Sequence, residues 1–320
     1  MVAQDTPDPL TIWWNGMVIA VVCPGQGSQK PGFLREWLTV DGVPEHVAQL
    51  SEAAGLDLAH YGTEADEETI KDTAIAQPLI VAAGLVAGRL LADSWKSRDD
   101  IVFAGHSVGE ITAAALSGVL SEADAMRFVR VRATEMAKAA AATPTGMAAV
   151  LGGKADDVAA AIAAAGTSPA NANGGGQVVA AGTLEQLEVL KENPPARAKV
   201  IPLKVAGAFH TEHMAPALDP LRELAPQLSP QDPEHKLLTN FDGSVITSGT
   251  AVVESLVEQV CRPVRWDACM DTMAELDVDR LIELPPAGTL AGLAKRGLKA
   301  AQASAVNEPA DLDAVRSILS

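Results

Sequence analysis

Two glycines flank a serine in Gly105-His106-Ser107-Val108-Gly109, the spacing of a sharp strand-to-helix turn that leaves a hydroxyl exposed as a candidate nucleophile. The flanks have the order such a turn needs. Asp100-Ile101-Val102-Phe103-Ala104 is short, apolar and rich in β-favouring residues, and residues 108 to 120 (VGEITAAALSGVL) are rich in alanine and leucine, as a buried helix is. Glycine tolerates the crowding beside a strained residue, and the helix N-terminus offers amides and partial positive charge to a developing oxyanion. The plainer reading of Ser107 is a helix-capping serine.

A serine nucleophile needs a base, and downstream of Ser107 the chain offers His210, His213 and His235. His210 is the best placed, because it follows a strand (200 to 205) and a loop (206 to 209) that would return the chain to the nucleophile. His213 begins a helix and His235 lies in a polar connection. An α/β-hydrolase carries Asp or Glu between serine and histidine. No carboxylate here announces itself by motif, so something else would orient the base. A charged group also lies where an apolar one belongs: Ala125, Phe128, Val129 and Met136 mark one stripe of a helix, and Arg132 sits within it. An inward guanidinium must meet an anion. That anion could be a core carboxylate, the side chain could snorkel outward, or its fork could hold a substrate carboxylate.

Elements that would position these groups follow from the pattern of the chain. Val18 to Val22 reads as a buried strand entering the glycine-rich loop Pro24-Gly25-Gln26-Gly27-Ser28-Gln29. This loop has neither the lysine of a phosphate loop nor the GxGxxG spacing, which places it near an active centre and not at a nucleotide site. Helices are expected at 45–60, 74–93 and 123–140. From 144 the pattern changes to strand (146–152), helix (155–165), two short strands around Asn171-Ala172-Asn173 and Gln177 to Ala181, helix (183–191) and strand (199–205). That β-α-β-β-α-β order matches a ferredoxin-like module inserted in a larger α/β domain, with Gly174-Gly175-Gly176 as a hairpin turn. The expected organisation is an extension over 1–16, a large domain in two parts (17–143 and 207–320) and a small domain over 144–206.

The 320 residues exceed what one hydrophobic core comfortably organises, and 48% hydrophobic content supports a sizeable core. A formal charge of −17 argues against nucleic acid or an anionic membrane as partner. An acidic partner would need a local basic patch, for which Arg262 with Arg265, and Lys295, Arg296 and Lys299, are the candidates. Cys23, Cys261 and Cys269 have no paired spacing, so neither a disulfide framework nor a metal site is expected, and a reducing cytoplasm fits. The apolar stretch Pro78 to Ala92 is interrupted by Gly84, Gly88 and Arg89 and falls short of the ~20 residues of a bilayer span, so it is read as a core helix. Residues 1–16 carry Asp5, Asp8 and two prolines without a basic start, unlike a secretory signal.

Taken together, PGQGSQ (24–29), AQPLI (76–80), GHSVGE (105–110), Arg132, NANGGGQVVAAG (171–182), GAFH (207–210) and VEQVCRPVRW (257–266) resemble, in order from Met17 to about Leu298, the malonyl-CoA:acyl carrier protein transacylases of fatty-acid and polyketide synthesis. The resemblance implies an α/β-hydrolase-like large domain with a parallel-sheet core and an inserted ferredoxin-like small domain. It also implies a ping-pong reaction with malonyl-CoA and an acyl carrier protein, without bound cofactor or metal. By motif position, Ser107 would attack the thioester and His210 would carry the proton. The amides of Gln26 and Val108 would form the oxyanion hole, Arg132 would hold the malonyl carboxylate, and the main-chain carbonyl of Gln259 would orient His210, with Asn240 in support. Phe209 and Val108 resemble residues of malonyl-selective relatives. Ala133 in place of a glycine, and Pro285-Pro286-Ala287 in place of a Gly-Pro-Gly turn, depart from the family pattern. A serine thioesterase or esterase, and a non-catalytic carrier-binding subunit, are the alternatives.

Overall fold

Apolar runs too short for helices form the centre of the molecule, which a computed structural model describes over residues 17–320. The extension expected at 1–16 lies outside the described residues. Eleven strands are present among these residues: β1 (Val18–Cys23), β2 (Ile101–Gly105), β3 (Thr145–Gly152), β4 (Ser168–Gly174), β5 (Gln177–Thr183), β6 (Ala198–Pro202), β7 (Lys236–Leu238), β8 (Val245–Ile246), β9 (Val264–Arg265), β10 (Val278–Glu283) and β11 (Gln302–Ala305). They make two sheets. The first has the order β11-β10-β1-β2-β7-β8 and is parallel except for the β7–β8 edge. Its central strands β1 and β2 are buried along almost their whole length, as parallel strands covered by helices on both faces must be.

A second sheet, β6-β3-β5-β4-β9, is antiparallel except between β4 and β9. Four of its strands lie between Thr145 and Pro202, with helices Ala155–Ala164 and Leu184–Glu192 between them. The fifth, β9, arrives from far downstream and is only two residues long, too short to carry a periodicity in sequence. Gly174, Gly175 and Gly176 all have positive φ (72°, 56° and 78°), the conformation of the β4–β5 turn that glycine alone adopts without strain.

Two long helices cross near the first sheet, Thr73–Trp95 and Glu122–Ala142. The first corrects the expectation that its apolar stretch is too short to cross a bilayer: it has 23 residues, and it is placed in the core by burial, since 78% of its most apolar window is covered by protein. Gly84 and Gly88 lie against Thr112 and Leu116 of the helix Gly109–Leu116, so a side chain at either would push the two helices apart. The single helix expected at 45–60 is broken at Gly55 (φ 58°) into Val43–Ala54 and Leu58–Thr63.

Parallel strands bring their C-terminal ends, and hence their loops, to one edge. Cys23 pairs with Gly105 in the β1–β2 register, and the His106 amide donates to the Cys23 carbonyl at 3.0 Å. The glycine-rich loop after β1 is therefore laid beside the turn after β2. That approach leaves no space for side chains: a Cβ on Gly109 would collide with the main-chain carbonyls of Cys23 and Pro24, and one on Gly105 with the backbone of Gly109 and Glu110. Because backbone cannot rotate aside, Gly109→Ala is expected to cost at least about 3 kcal/mol. Gly292→Ala, in a helix where an added Cβ meets nothing within 4 Å, should be neutral or mildly stabilising. Urea unfolding midpoints compare the two, and equal midpoints would contradict the close approach.

Candidate active site

The turn after β2 presents Ser107 in a left-handed conformation (φ 54°), and the loop after β6 presents His210 in the same region (φ 62°). Non-glycine residues held there mark an imposed backbone. The two side chains meet, with Ser107 Oγ 2.7 Å from His210 Nε2. On the far side of the ring, His210 Nδ1 lies 3.0 Å from the Gln259 carbonyl. A carbonyl only accepts, so Nδ1 carries the ring proton and Nε2 is left to accept from the serine hydroxyl. The Gln259 carbonyl thus stands where hydrolases put an acid. Burial, and secondarily the charge of Arg132, push the His210 pKa down to about 3. Ser107 makes no capping bond to its helix. Neither of the other histidines reaches the site: His213 lies in the helical turn Glu212–Ala217, and His235 packs edge-on against Phe103.

Arg132 is fully buried and its guanidinium touches no carboxylate among the described residues. Nη1 donates to Gln77 Oε1 at 2.7 Å, and Nη2 donates to Gln259 Oε1 at 2.6 Å and to Ser107 Oγ at 3.3 Å. Nε has no partner. Burial lowers the Arg132 pKa to about 10, with the charge of Glu110 opposing, so the group stays cationic at neutral pH. Sequence reasoning missed Gln77 and Glu110, both nearly inaccessible to solvent. The available signal was an amide and a carboxylate embedded in otherwise apolar helices. It missed His106 as well, whose Nε2 lies 2.9 Å from Asn173 Oδ1 and whose ring tilts against Trp266, tying the serine turn to β4.

A cavity of about 190 Å³ opens in front of Ser107 and His210 and is lined from both sheets, with Gln26, Met136, Met147 and Phe209 among its walls. The main-chain amides of Gln26 and Val108 donate no hydrogen bond among the described residues. Phe209, which precedes His210, and Val108, which follows Ser107, are both buried. Asn240 does not contact His210; its side chain donates to the Gly105 carbonyl at 2.9 Å, and its amide donates to Glu110 at 2.8 Å. Of the basic candidates, Arg262 pairs with Glu258 and covers Phe241, Arg265 pairs with Asp267, and Arg296 reaches Gln177 at the cavity rim.

Residues 20–310 match the family described as the acyl transferase domain. A malonyl CoA-acyl carrier protein transacylase of Mycobacterium tuberculosis is 50% identical over 302 residues, spanning 94% of this chain and 100% of the relative. A crystal structure of MCAT from Mycobacterium tuberculosis superposes with a TM-score of 0.90 at 50% identity, covering 93% of this chain and 99% of that one. A malonyl-transacylase solved in complex with its type II PKS acyl-carrier protein superposes with a TM-score of 0.86 at 30% identity, covering 94% and 99%. By these matches over nearly its whole length, the chain belongs to the acyl transferase domain family and, within it, to the malonyl CoA-acyl carrier protein transacylases.

Proposed function

We infer that this chain moves a malonyl group from malonyl-CoA to the phosphopantetheine thiol of an acyl carrier protein through a malonyl-serine ester. The observation that carries this reading is the buried Arg132 guanidinium, which has no carboxylate partner among the described residues and lies 3.3 Å from Ser107 Oγ. Ser107 Oγ attacks the thioester carbon as its proton passes to His210 Nε2, and the oxyanion that forms is held by the Gln26 and Val108 amides. The C–S bond then breaks and the departing sulfur takes the proton from His210. In the second half the carrier thiol gives its proton to His210 and attacks the ester, and the Ser107 oxygen leaves with that proton. Arg132 holds the malonyl carboxylate in both halves, and Phe209 crowds a branch at the α-carbon. No metal or bound cofactor enters this scheme, and the unpaired thiols Cys23, Cys261 and Cys269 suit a reducing cytoplasm. In the same reading the six-stranded sheet belongs to a hydrolase-like large domain (17–143 and 207–320). The five-stranded sheet is a ferredoxin-like insert over 144–206, which β9 extends by one strand.

Arg132→Ala removes two charge-assisted hydrogen bonds to the acyl carboxylate, so kcat/KM for malonyl-CoA should fall about 100-fold or more. Transfer from acetyl-CoA, which has no carboxylate to hold, should fall at least about tenfold less than that, its loss reflecting only the disturbed Gln259, Ser107 and His210. Equal losses on the two esters would favour a hydrolase in which Arg132 is structural. The base also predicts a pH profile. His210 is held neutral in the folded chain, with its pKa lowered from 6.5 to about 3, so kcat/KM for malonyl-CoA should show no inflection near pH 6.5. Stability behaves differently, since the unfolded chain protonates this histidine first: its contribution is fully present above 6.5 and is lost as pH falls from there toward about 3. An activity inflection near 6.5 would contradict the assignment of His210 as a desolvated neutral base.

A further inference from the structure

Glu110 is a carboxylate inside the apolar helix Gly109–Leu116, 3% exposed and, among the described residues, without a cationic partner in contact. One carboxylate oxygen accepts from the Asn240 amide at 2.8 Å, and the other accepts from Gln259 Nε2 in a short hydrogen bond. Gln259 Nε2 also donates to the Ser107 carbonyl at 3.1 Å, while Gln259 Oε1 accepts from Arg132 and its main-chain carbonyl accepts from His210. A glutamine side chain can face either way. Here its NH2 end is drawn to a carboxylate and its oxygen is left for the guanidinium. Burial raises the Glu110 pKa, and the Asn240 amide, the Gln259 amide, the Thr239 hydroxyl and the charge of Arg132 oppose that rise. Glu110 is thereby the counter-charge of Arg132, placed one amide away and not in contact with it.

We propose that Glu110 is a positioning residue: its carboxylate fixes which way the Gln259 side chain faces, and through Gln259 it aims Arg132 at the acyl carboxylate and steadies the carbonyl that orients His210. The indirect placement leaves guanidinium hydrogens free for substrate, which a carboxylate bonded directly to Arg132 would occupy. An amide at 110 has only one acceptor for two facing donors. Either the Asn240 amide or the Gln259 NH2 then loses its partner, or Gln259 turns and sets NH2 against the guanidinium.

This inference rests on the malonyl-transfer reading, and the experiment separates the two. Glu110→Gln and Glu110→Asp are compared with the unaltered chain by the ratio of kcat/KM for malonyl-CoA to that for acetyl-CoA. Both rates come from one sample, so the ratio does not depend on the folded fraction. The expected result is a ratio at least about tenfold lower in Glu110→Gln, with Glu110→Asp, which keeps both acceptor oxygens, recovering part of it. A ratio unchanged in Glu110→Gln overturns the proposal, and so does loss of both activity and the thermal unfolding transition in the two variants, which would make Glu110 a folding residue. No malonyl preference in the unaltered chain would instead overturn the malonyl-transfer reading itself.

Discussion

A guanidinium buried with no carboxylate touching it among the described residues is the constraint on which the rest of this site depends. Taking a cation out of water costs several kcal/mol unless its hydrogens and its charge are both met. For Arg132 three hydrogens are met, by Gln77, Gln259 and Ser107, and Nε meets no partner among the described residues, while the charge is met only at a distance by Glu110. Neutral amide oxygens satisfy donors without cancelling charge. In the malonyl-transfer reading proposed above, an anionic acyl group that reaches this guanidinium completes an interaction the protein leaves incomplete, where the low local dielectric makes the attraction strong. Holding such a group needs a rigid frame, and three separate helices supply it. Gln77 comes from Thr73–Trp95, Arg132 from Glu122–Ala142, and Gln259 from the end of Gly249–Glu258.

The same constraint couples the acyl pocket to the reacting atoms. Gln259 uses its side chain for Arg132 and its main chain for His210, so the two cannot be aimed independently. Arg132 also depresses the basicity of His210. A bound carboxylate would relieve part of that electrostatic effect, which makes the base stronger when the acyl group is present. The short contacts between β1, β2 and the helix after Ser107 hold the Gln26 and Val108 loops beside this pair, with glycine required where backbone meets backbone.

Much of this arrangement was legible because it is written in local spacing. Two glycines around Ser107 specify a turn within five residues, and the 3.6-residue period places Arg132 on an inward face without any knowledge of its partners. The βαββαβ order between 145 and 202 is likewise a succession of short, separately readable patterns. What was not legible depends on distant segments. The two amide partners of Arg132 lie 55 and 127 positions away, and two residues of β9 find β4 only once the chain has folded. Gln77 and Glu110 look like single interruptions of apolar helices, and their meaning appears only where those helices converge. The 45–60 segment has continuous helical periodicity, yet Gly55 takes a left-handed conformation that divides it.

The central claim is a covalent malonyl ester on Ser107 that waits for a thiol. Intact-protein mass after brief mixing with malonyl-CoA, with no acceptor present and then with a holo acyl carrier protein added, tests it directly. The account predicts one malonyl adduct, absent from Ser107→Ala, that persists in buffer and passes to the carrier when it arrives. No adduct, an adduct retained by Ser107→Ala, or an adduct lost to water at the same rate with and without carrier would contradict it.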